Sequence, residues 1–200
     1  MISEDNSRPV DNQIVANAAG GNASDIGAYE AHTFEVNSNA DTDDGLCRAL
    51  GTGNGCTLRE AINAANGEAG SELIVFAPAL TSGGPATITL STVLPNLSSD
   101  MTISGPEQVC LRSKEVSPAG RPGSSIFTNA GPVVTANISG LTISNGHTAD
   151  GTAGGSGDNG GAILNVFGST LNLTNVVISG NLTGDGDASG GLGGYGGAII

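Results

Sequence analysis

Apolar and polar residues alternate in short runs through most of the chain after residue 70. The runs "TITL" at 87–90 and "MTIS" at 101–104 place Ile, Leu or Met at every second position, with Thr or Ser between them. Successive side chains of a strand point to opposite faces, so this spacing predicts strands with one buried face. The side chains predicted to point inward are Ile88, Leu90, Met101 and Ile103. An earlier run at 31–38 predicts an edge strand with Phe34 and Val36 on one face.

The last third of the chain repeats itself. The segment "NISGLTISNGHT" at 137–148 aligns with "NLTNVVISGNLT" at 172–183, and "GGAIL" at 160–164 aligns with "GGAII" at 196–200. Self-similarity at such a period is typical of solenoids, in which each unit buries its apolar face against neighbouring units. The repeat therefore predicts stacked coils, with the strands of successive coils paired edge to edge.

Each repeat contains a Gly-rich insert, at 147–159 and at 182–195. Without its insert, the first unit has the length of two or three short strands joined by tight turns. The inserts predict flexible loops that leave the coil on one side. Inward Ile, Leu and Val are expected to stack in ladders, and Asn side chains at turns are expected to hydrogen-bond between coils.

One helix is predicted, over the segment "CTLREAINAANG" at 56–67. Thr57 is expected to be the N-cap, and Glu60, three residues later, completes a capping box. An apolar stripe follows at helical spacing, and Gly67 is expected to close the helix just after its last turn. The stripe consists of Leu58, Ala61, Ile62 and Ala65.

The chain has three cysteines, Cys47, Cys56 and Cys110. Cys47 and Cys56 flank the Gly-rich segment "RALGTGNG", which can bring them together, so we predict a disulfide and an oxidising compartment. Two free buried thiols are the alternative interpretation of this pair, and the role of Cys110 stays open. A zinc site is not favoured, because neither His32 nor His147 has ligand spacing from a cysteine pair.

Composition favours an elongated fold with a thin core. The chain has 33 Gly and no Trp, and aromatic residues make up 3% of it, which is too little bulk for the centre of a compact globule. The 19 Asp and Glu outnumber the 6 Lys and Arg, and the formal net charge is −13. This charge argues against nucleic acids and anionic lipid surfaces as partners. No stretch of the sequence is apolar for long enough to predict a transmembrane helix.

No constellation of side chains predicts catalysis. Residues 137–200 contain no Lys, Arg or Glu, and their Asp residues lie in the Gly-rich inserts, which lack the rigid positioning that catalytic carboxylates need. We therefore expect no catalytic residue and no bound cofactor. Calcium is the one metal that the sequence suggests, through the acidic loop of Asp41, Asp43 and Asp44. This loop lacks the last Glu of an EF-hand, and a solvated loop is the simpler interpretation.

Several motifs resemble known bacterial families. The segment "DGLC…GCTLREAINAAN" resembles the CSLREA-type N-terminal segment of surface and secreted proteins, with Thr57 in place of Ser. The segments "GGAIL", "GGAII" and "LTISNG/VVISGN" resemble coils of right-handed β-helices and repeats of polymorphic outer membrane proteins. Near the start, "RPVDN…SDIGAYE" resembles the closing motif of choice-of-anchor Q domains. The resemblance implies an all-β fold, a right-handed parallel β-helix of the pectin-lyase-like type with one short N-terminal capping α-helix.

This organisation implies three parts. Residues 1–30 are the C-terminal end of a preceding β-helical module of the choice-of-anchor Q type. Residues 31–70 are a CSLREA-like cap with its Cys loop and helix, and residues 71–200 begin a β-helix that is truncated in mid-coil. A cap is needed because the first coil of a solenoid has an exposed strand edge and an open core end.

The expected function is structural. The resemblance implies a fragment of a large exported bacterial protein, secreted or associated with the outer membrane at the cell surface, that serves as a non-enzymatic, adhesin-like scaffold. Its long face and loops are expected to contact glycans or other cell-surface components. The alternative is the non-catalytic N-terminal part of a carbohydrate-active β-helix enzyme, a polysaccharide lyase or hydrolase, because one fold can serve several functions.

Overall fold

The computed structural model describes residues 32–113, 125–130, 133–166 and 168–200. The predicted module at 1–30, with the motif that resembles a choice-of-anchor Q domain, lies outside these residues. In chain order the described elements are β1 (Thr33–Val36), α1 (Leu58–Gly67), β2 (Ser71–Phe76), a short 3₁₀ helix (Pro78–Thr81), β3 (Ala86–Leu90), β4 (Asp100–Ser113), β5 (Phe127–Asn129), β6 (Thr135–Ser144), β7 (Ile163–Asn165), β8 (Thr170–Thr174) and β9 (Val177–Ser179).

Every strand pair in the described part of the chain is parallel. Seven strands form one sheet in the order β1-β2-β4-β6-β8, in which β3 also pairs with β4 and β9 also pairs with β6. Strands β5 and β7 form a second sheet of two strands. Each of the strands β2, β4 and β6 thus pairs both with strand residues earlier in the chain and with strand residues later in the chain. The protein is mostly β, with parallel sheets and a single α-helix among the described residues.

The register of the strands reproduces the repeat found in the sequence. Asn137 of β6 lies opposite Asn172 of β8, 35 residues later, and Ile163 of β7 bridges to Ile199. Both pairs are equivalent positions in the self-alignment of the sequence. The observed register therefore agrees with the alignment, because residues that recur at a fixed period occupy equivalent places in successive layers.

The core consists of apolar ladders that run across the sheet. Ile74 of β2, Ile103 of β4 and Ile138 of β6 are in register and buried, and Leu173 of β8 continues the row. β-branched residues suit such ladders because they pack well on a pleated surface. The inward positions predicted from the alternation are confirmed, since Ile88, Leu90, Met101 and Ile103 are all buried.

Strand β1 and helix α1 lie at one end of this sheet. β1 is the first strand in the sheet order, as the prediction of an edge strand requires, with Val36 buried and Phe34 half-buried. Helix α1 packs against β1 and β2, and its predicted stripe is buried in full. No helix in the described ranges is long and apolar enough to cross a membrane.

The prediction for the end of the helix is wrong. Gly67 is the last residue of α1, and the C-cap is Glu68, whose backbone N–H donates to the carbonyl oxygen of Ala65 at 3.3 Å. The chain leaves the helix directly in an extended conformation, with a φ of −95° at Glu68. No left-handed residue is therefore needed at this position.

Candidate functional site

The predicted disulfide is present. Cys47 and Cys56 are bonded, and Cys56 is fully buried in the apolar core. Cys110 is a half-buried free thiol on β4, and its Sγ lies 3.5 Å from the hydroxyl oxygen of Ser144 on β6. Spacing and loop composition were sufficient to predict the pair, since the two residues are separated by only 9 positions.

Asn37, which the sequence pattern did not single out, holds the disulfide loop beside β1. Its side-chain Nδ2 donates to the carbonyl oxygen of Arg48 at 2.9 Å, and its Oδ1 accepts from the backbone N–H of Cys56 at 2.7 Å. The backbone N–H of Asn37 also donates to the Cys56 carbonyl oxygen at 2.9 Å. An Asn directly after a strand is a turn signal, but only the fold brings its amide to both ends of the disulfide loop.

The predicted capping box is present and holds a second segment as well. The Glu60 backbone N–H donates to the Thr57 hydroxyl oxygen at 3.2 Å, and the Thr57 N–H donates to Oε2 of Glu60 at 2.8 Å. Glu60 is buried, and its Oε1 accepts from the backbone N–H of Asp44 at 2.9 Å. The Thr57 hydroxyl donates to the carbonyl oxygen of Thr42 at 2.8 Å. The two capping residues therefore attach the acidic loop to the start of the helix.

Asp41, the first residue of the calcium hypothesis, forms a buried ion pair. Its Oδ1 accepts from Nη2 of Arg59 at 2.7 Å and from Nε at 3.1 Å, and only 7% of the Asp41 side chain and 11% of the Arg59 side chain are exposed. Oδ2 of Asp41 accepts from the backbone N–H and the hydroxyl of Ser91, each at 2.7 Å. Arg59 also donates to the carbonyl oxygens of Thr92 and Val93. This network joins the acidic loop, α1 and the segment after β3.

The other two acidic residues of the loop have separate partners. Asp43 accepts from the Asn63 side chain at 2.9 Å, whereas Asp44 pairs with Arg48 and accepts from the Asn54 side chain at 3.0 Å. Within the described ranges, no group of three or more His, Cys, Asp and Glu side chains is arranged to hold a metal ion. The structure uses Asp41, Asp43 and Asp44 to fasten the loop, and calcium binding stays a prediction from the sequence. We call β1, the loop 37–57 and α1 the cap.

The two Gly-rich inserts, which the sequence predicted to be flexible loops that leave the coil on one side, stack on each other. The backbone N–H of Gly151 donates to the Asp185 carbonyl oxygen at 2.7 Å, and that of Gly157 donates to the Leu192 carbonyl oxygen at 2.9 Å. The contact continues beyond the first insert, where Gly160 donates to the Tyr195 carbonyl oxygen at 2.9 Å. These bonds keep nearly the same period as the strands. We call the stacked segments 147–160 and 182–197 the glycine lobe.

Close approach of the backbones explains the glycine content of the lobe. An added Cβ at Gly184 would lie 1.8 Å from the carbonyl oxygen of Ala149, and one at Gly157 would lie 2.0 Å from the carbonyl oxygen of Gly184. Cβ atoms do not approach other atoms so closely, so any other residue would push the two segments apart. In a sequence, a high glycine content predicts a flexible segment. Here the glycines allow the backbones of the two inserts to pack closely together.

Two acidic residues of the lobe bind backbone groups. Oδ1 of Asp150 accepts from the backbone N–H of Asp185 at 2.8 Å, and Oδ1 of Asp187 accepts from that of Ser189 at 2.7 Å. Hydrogen bonds from the Ser189 hydroxyl and backbone hold the pKa of the Asp187 carboxyl below its ordinary value. These carboxylates stabilise turns and the stacking of the segments.

Glu72 is a buried acid that the sequence prediction missed. It lies on the inward side of β2 and is fully buried. Its Oε2 accepts from the backbone N–H of His32 at 2.6 Å, and the His32 Nδ1 lies 3.7 Å from carboxylate oxygens of both Glu68 and Glu72. Oε1 of Glu72 is buried without a hydrogen-bond partner in the described part of the chain. The alternation "ELIVF" contained the signal, because Glu72 shares its phase with the buried Ile74.

The outward side chains of the neighbouring strands β4, β6 and β8 form a regular polar surface. Thr102, Asn137 and Asn172 are in register across these strands. The Asn172 side-chain Nδ2 donates to Oδ1 of Asn137 at 2.8 Å, and the Asn137 Nδ2 donates to the Thr102 hydroxyl oxygen at 3.3 Å. Asn side chains therefore bond between layers here on the strands, whereas the prediction placed such bonds at turns. A similar bond joins two strand ends, where Nδ2 of Asn129 donates to Oδ1 of Asn165 at 2.7 Å.

A second row lies two positions further along the same strands, formed by Ser104, Ser139 and Thr174. We call the six outward side chains of these two rows the polar face. None of them carries a charge, although the chain as a whole has a formal net charge of −13.

Comparison with known proteins gave no match, whether against protein-family models, curated proteins or solved structures.

Proposed function

We propose that residues 71–200 form coils of a right-handed parallel β-helix and that the cap closes the N-terminal end of its core. In-register parallel pairing at a constant period and continuous inward ladders support the β-helix. The right hand follows the strong preference of parallel crossover connections for that handedness. The capping box and the buried pair Asp41–Arg59 support the relation to CSLREA-type segments, because Arg59 and Glu60 of "LREA" form these contacts.

We propose further that the protein is a non-catalytic, adhesin-like scaffold, exported by a bacterium and either secreted or displayed at the cell surface. The observation that carries this proposal is how the carboxylates are used. In the cap and the glycine lobe, four carboxylates fasten loops and turns by accepting from backbone N–H groups: those of Asp41, Glu60, Asp150 and Asp187. Such groups build a stable repetitive surface, whereas polysaccharide cleavage needs acids aimed at a substrate. The disulfide supports an extracytoplasmic location.

The proposal is tested by exposing the purified chain to neutral and acidic polysaccharides and measuring new reducing or unsaturated ends. A scaffold leaves the polymers intact over long incubation at high protein concentration. Cleavage that depends on the protein would refute the proposal and favour the alternative, a carbohydrate-active β-helix enzyme. For location, fusion to a bacterial export signal is expected to give a protein with the Cys47–Cys56 bond, and only Cys110 should react with a thiol reagent.

A further inference from the structure

We propose that the polar face binds a neutral polysaccharide chain. The inference rests on the proposed scaffold function and adds to it the surface and the chemical class of the partner. The face contains the row Thr102, Asn137 and Asn172 and the parallel row Ser104, Ser139 and Thr174. Strands lie about 4.8 Å apart and alternate residues of a strand about 6.7 Å apart, so the side chains form a two-dimensional grid of hydrogen-bonding groups.

The first row is held in place before any ligand binds. Asn172 donates to Asn137, and Asn137 donates to the Thr102 hydroxyl oxygen. Each Asn amide has two N–H donors and an oxygen with two lone pairs, and the row uses only part of this capacity. The remaining donors and acceptors are presented by side chains whose conformations are already restrained. Binding therefore costs less conformational entropy than it would for free side chains.

The chemistry of the two rows matches that of sugars. A sugar hydroxyl donates and accepts hydrogen bonds, and the Ser, Thr and Asn side chains of the polar face do the same. Regular rows suit a polymer better than a single small molecule, because the same pair of contacts recurs from strand to strand. The two rows belong to the outward side of a paired sheet, where Asn172 and Thr174 are exposed and the other four side chains are half-buried.

Charge selects among polymers. The formal net charge of −13 disfavours nucleic acids and acidic polysaccharides, whereas the six side chains of the polar face are uncharged. A protein partner is less suited to this surface, because the centres of protein interfaces are enriched in aromatic residues, Met and Arg and depleted in Ser. A neutral glycan chain is the remaining polymer whose groups complement the face.

Affinity electrophoresis tests the inference. The full chain is run in native gels that contain soluble neutral polysaccharides (hydroxyethyl cellulose, xyloglucan, a mixed-linkage glucan) or the acidic polymers alginate and polygalacturonate. We expect retardation by at least one neutral polymer and none by the acidic ones. The triple variant Thr102→Ala/Asn137→Ala/Asn172→Ala should weaken the retardation by about tenfold or more, because it removes a whole row of hydrogen-bonding groups.

The matched control replaces three outward residues of the other part of the sheet, Thr87→Ala/Thr89→Ala/Thr142→Ala, and should bind like the wild type. Should the first triple variant fail to fold, the single variant Thr174→Arg serves instead. It places a bulky cation in the polar face at an exposed position of β8, and it should also abolish retardation while retaining the wild-type melting temperature.

The outcomes separate this inference from the proposed function. Absence of retardation in every neutral gel, or equal retardation of the wild type and Thr174→Arg, overturns the inference and leaves the scaffold function standing. Equal binding to desialylated mucin before and after removal of its glycans also overturns it, because the face then recognises polypeptide. Retardation together with new reducing ends supports the glycan-binding face and overturns the non-catalytic function. Retardation without cleavage supports both.

Discussion

The cap and the glycine lobe are stabilised in opposite ways. In the cap, side chains supply the specific contacts: a disulfide, the Asn37 amide, a capping box and the buried pair Asp41–Arg59. In the glycine lobe, backbone N–H groups of one insert donate to carbonyl oxygens that lie about one repeat later in the chain. Side chains of Asp or Thr also accept from backbone N–H groups there. A segment that occurs once needs particular partners, whereas a repeated segment needs a common period and room for close approach.

The largest effect should come from breaking the central contact of the cap. Arg59→Ala removes the partner of a carboxylate that is only 7% exposed, and leaving a buried charge unpaired costs about 3–5 kcal/mol of unfolding free energy. Urea denaturation of the 200-residue chain measures the loss. The matched variant Arg112→Ala removes an exposed Arg from β4 and should change stability by less than about 0.5 kcal/mol. Equal effects of the two substitutions would show that the Asp41–Arg59 pair does not hold the cap.

A smaller loss should follow from removing the disulfide. Replacing Cys47 and Cys56 by Ser frees the loop in the unfolded state, which costs about 2–3 kcal/mol for so short a loop. Thermal unfolding with and without reductant measures this, and Cys110→Ser is the control, since Cys110 forms no disulfide. Reductant should lower the melting temperature of the wild type and leave the double variant unchanged. A wild type that is insensitive to reductant would contradict this prediction.

The glycine lobe can be tested with a single methyl group. Gly184→Ala places a Cβ 1.8 Å from the Ala149 carbonyl oxygen, and relieving such overlap costs about 1–3 kcal/mol. Amide hydrogen exchange should accelerate at Gly151 and Gly157, whose N–H groups bind the second insert, and change little in the cap. Gly193→Ala is the control, because the nearest atom to its added Cβ is 3.9 Å away. Unchanged exchange in Gly184→Ala would mean that the inserts are independent loops.

The smallest effect concerns the charge on one turn of the lobe. The pKa of Asp187 is lowered by its hydrogen bonds from Ser189, so its contribution to stability is present above the pKa of the unfolded chain, about 3.9. That contribution is lost as the pH falls through the folded pKa. Asp187→Asn should therefore slightly reduce the difference in melting temperature between pH 7 and pH 3. NMR titration should find the pKa of Asp187 in the wild type below its ordinary value of 3.8. Ser189→Ala should raise that pKa. A pKa of Asp187 that is unchanged from the ordinary value would contradict the prediction.

Local signals account for what could be predicted. Thr57 and Glu60 are three residues apart, and the two bridged cysteines are separated by nine, so their partners could be identified within one short segment. Alternation likewise predicted Ile88 and Met101 as inward residues. The period of the repeat predicted which strands would face each other, as the pair Asn137 and Asn172 shows.

Contacts between distant, non-repeating segments could not be predicted in this way. Asp41 and Ser91 are separated by 50 residues and share no motif. From the sequence, a solvated loop was the favoured interpretation of Asp41 and a calcium site the alternative. Glu72 alternates in step with inward residues of β2, so its burial could be recognised in the sequence. Its partner His32 could not, because it precedes β1 and lies 40 residues earlier in the chain. The stacking of the two inserts could not be predicted, because glycine has no side chain and so gives no pattern of apolar and polar positions.

The sequence by itself determined the alternation of the strands, the repeat and its register, the capping box and the disulfide. Each of these features depends on residues that are close together in the chain or on a period within the chain. Local neighbours and periods can be recognised directly in the order of the residues. Only the tertiary structure decided that Asp41 pairs with Arg59 and Ser91, that Glu72 is buried beside His32, and that the glycine-rich inserts form a stacked lobe. The physical reason is that a carboxylate or a glycine is suited to several environments, and the packing of the whole chain selects one.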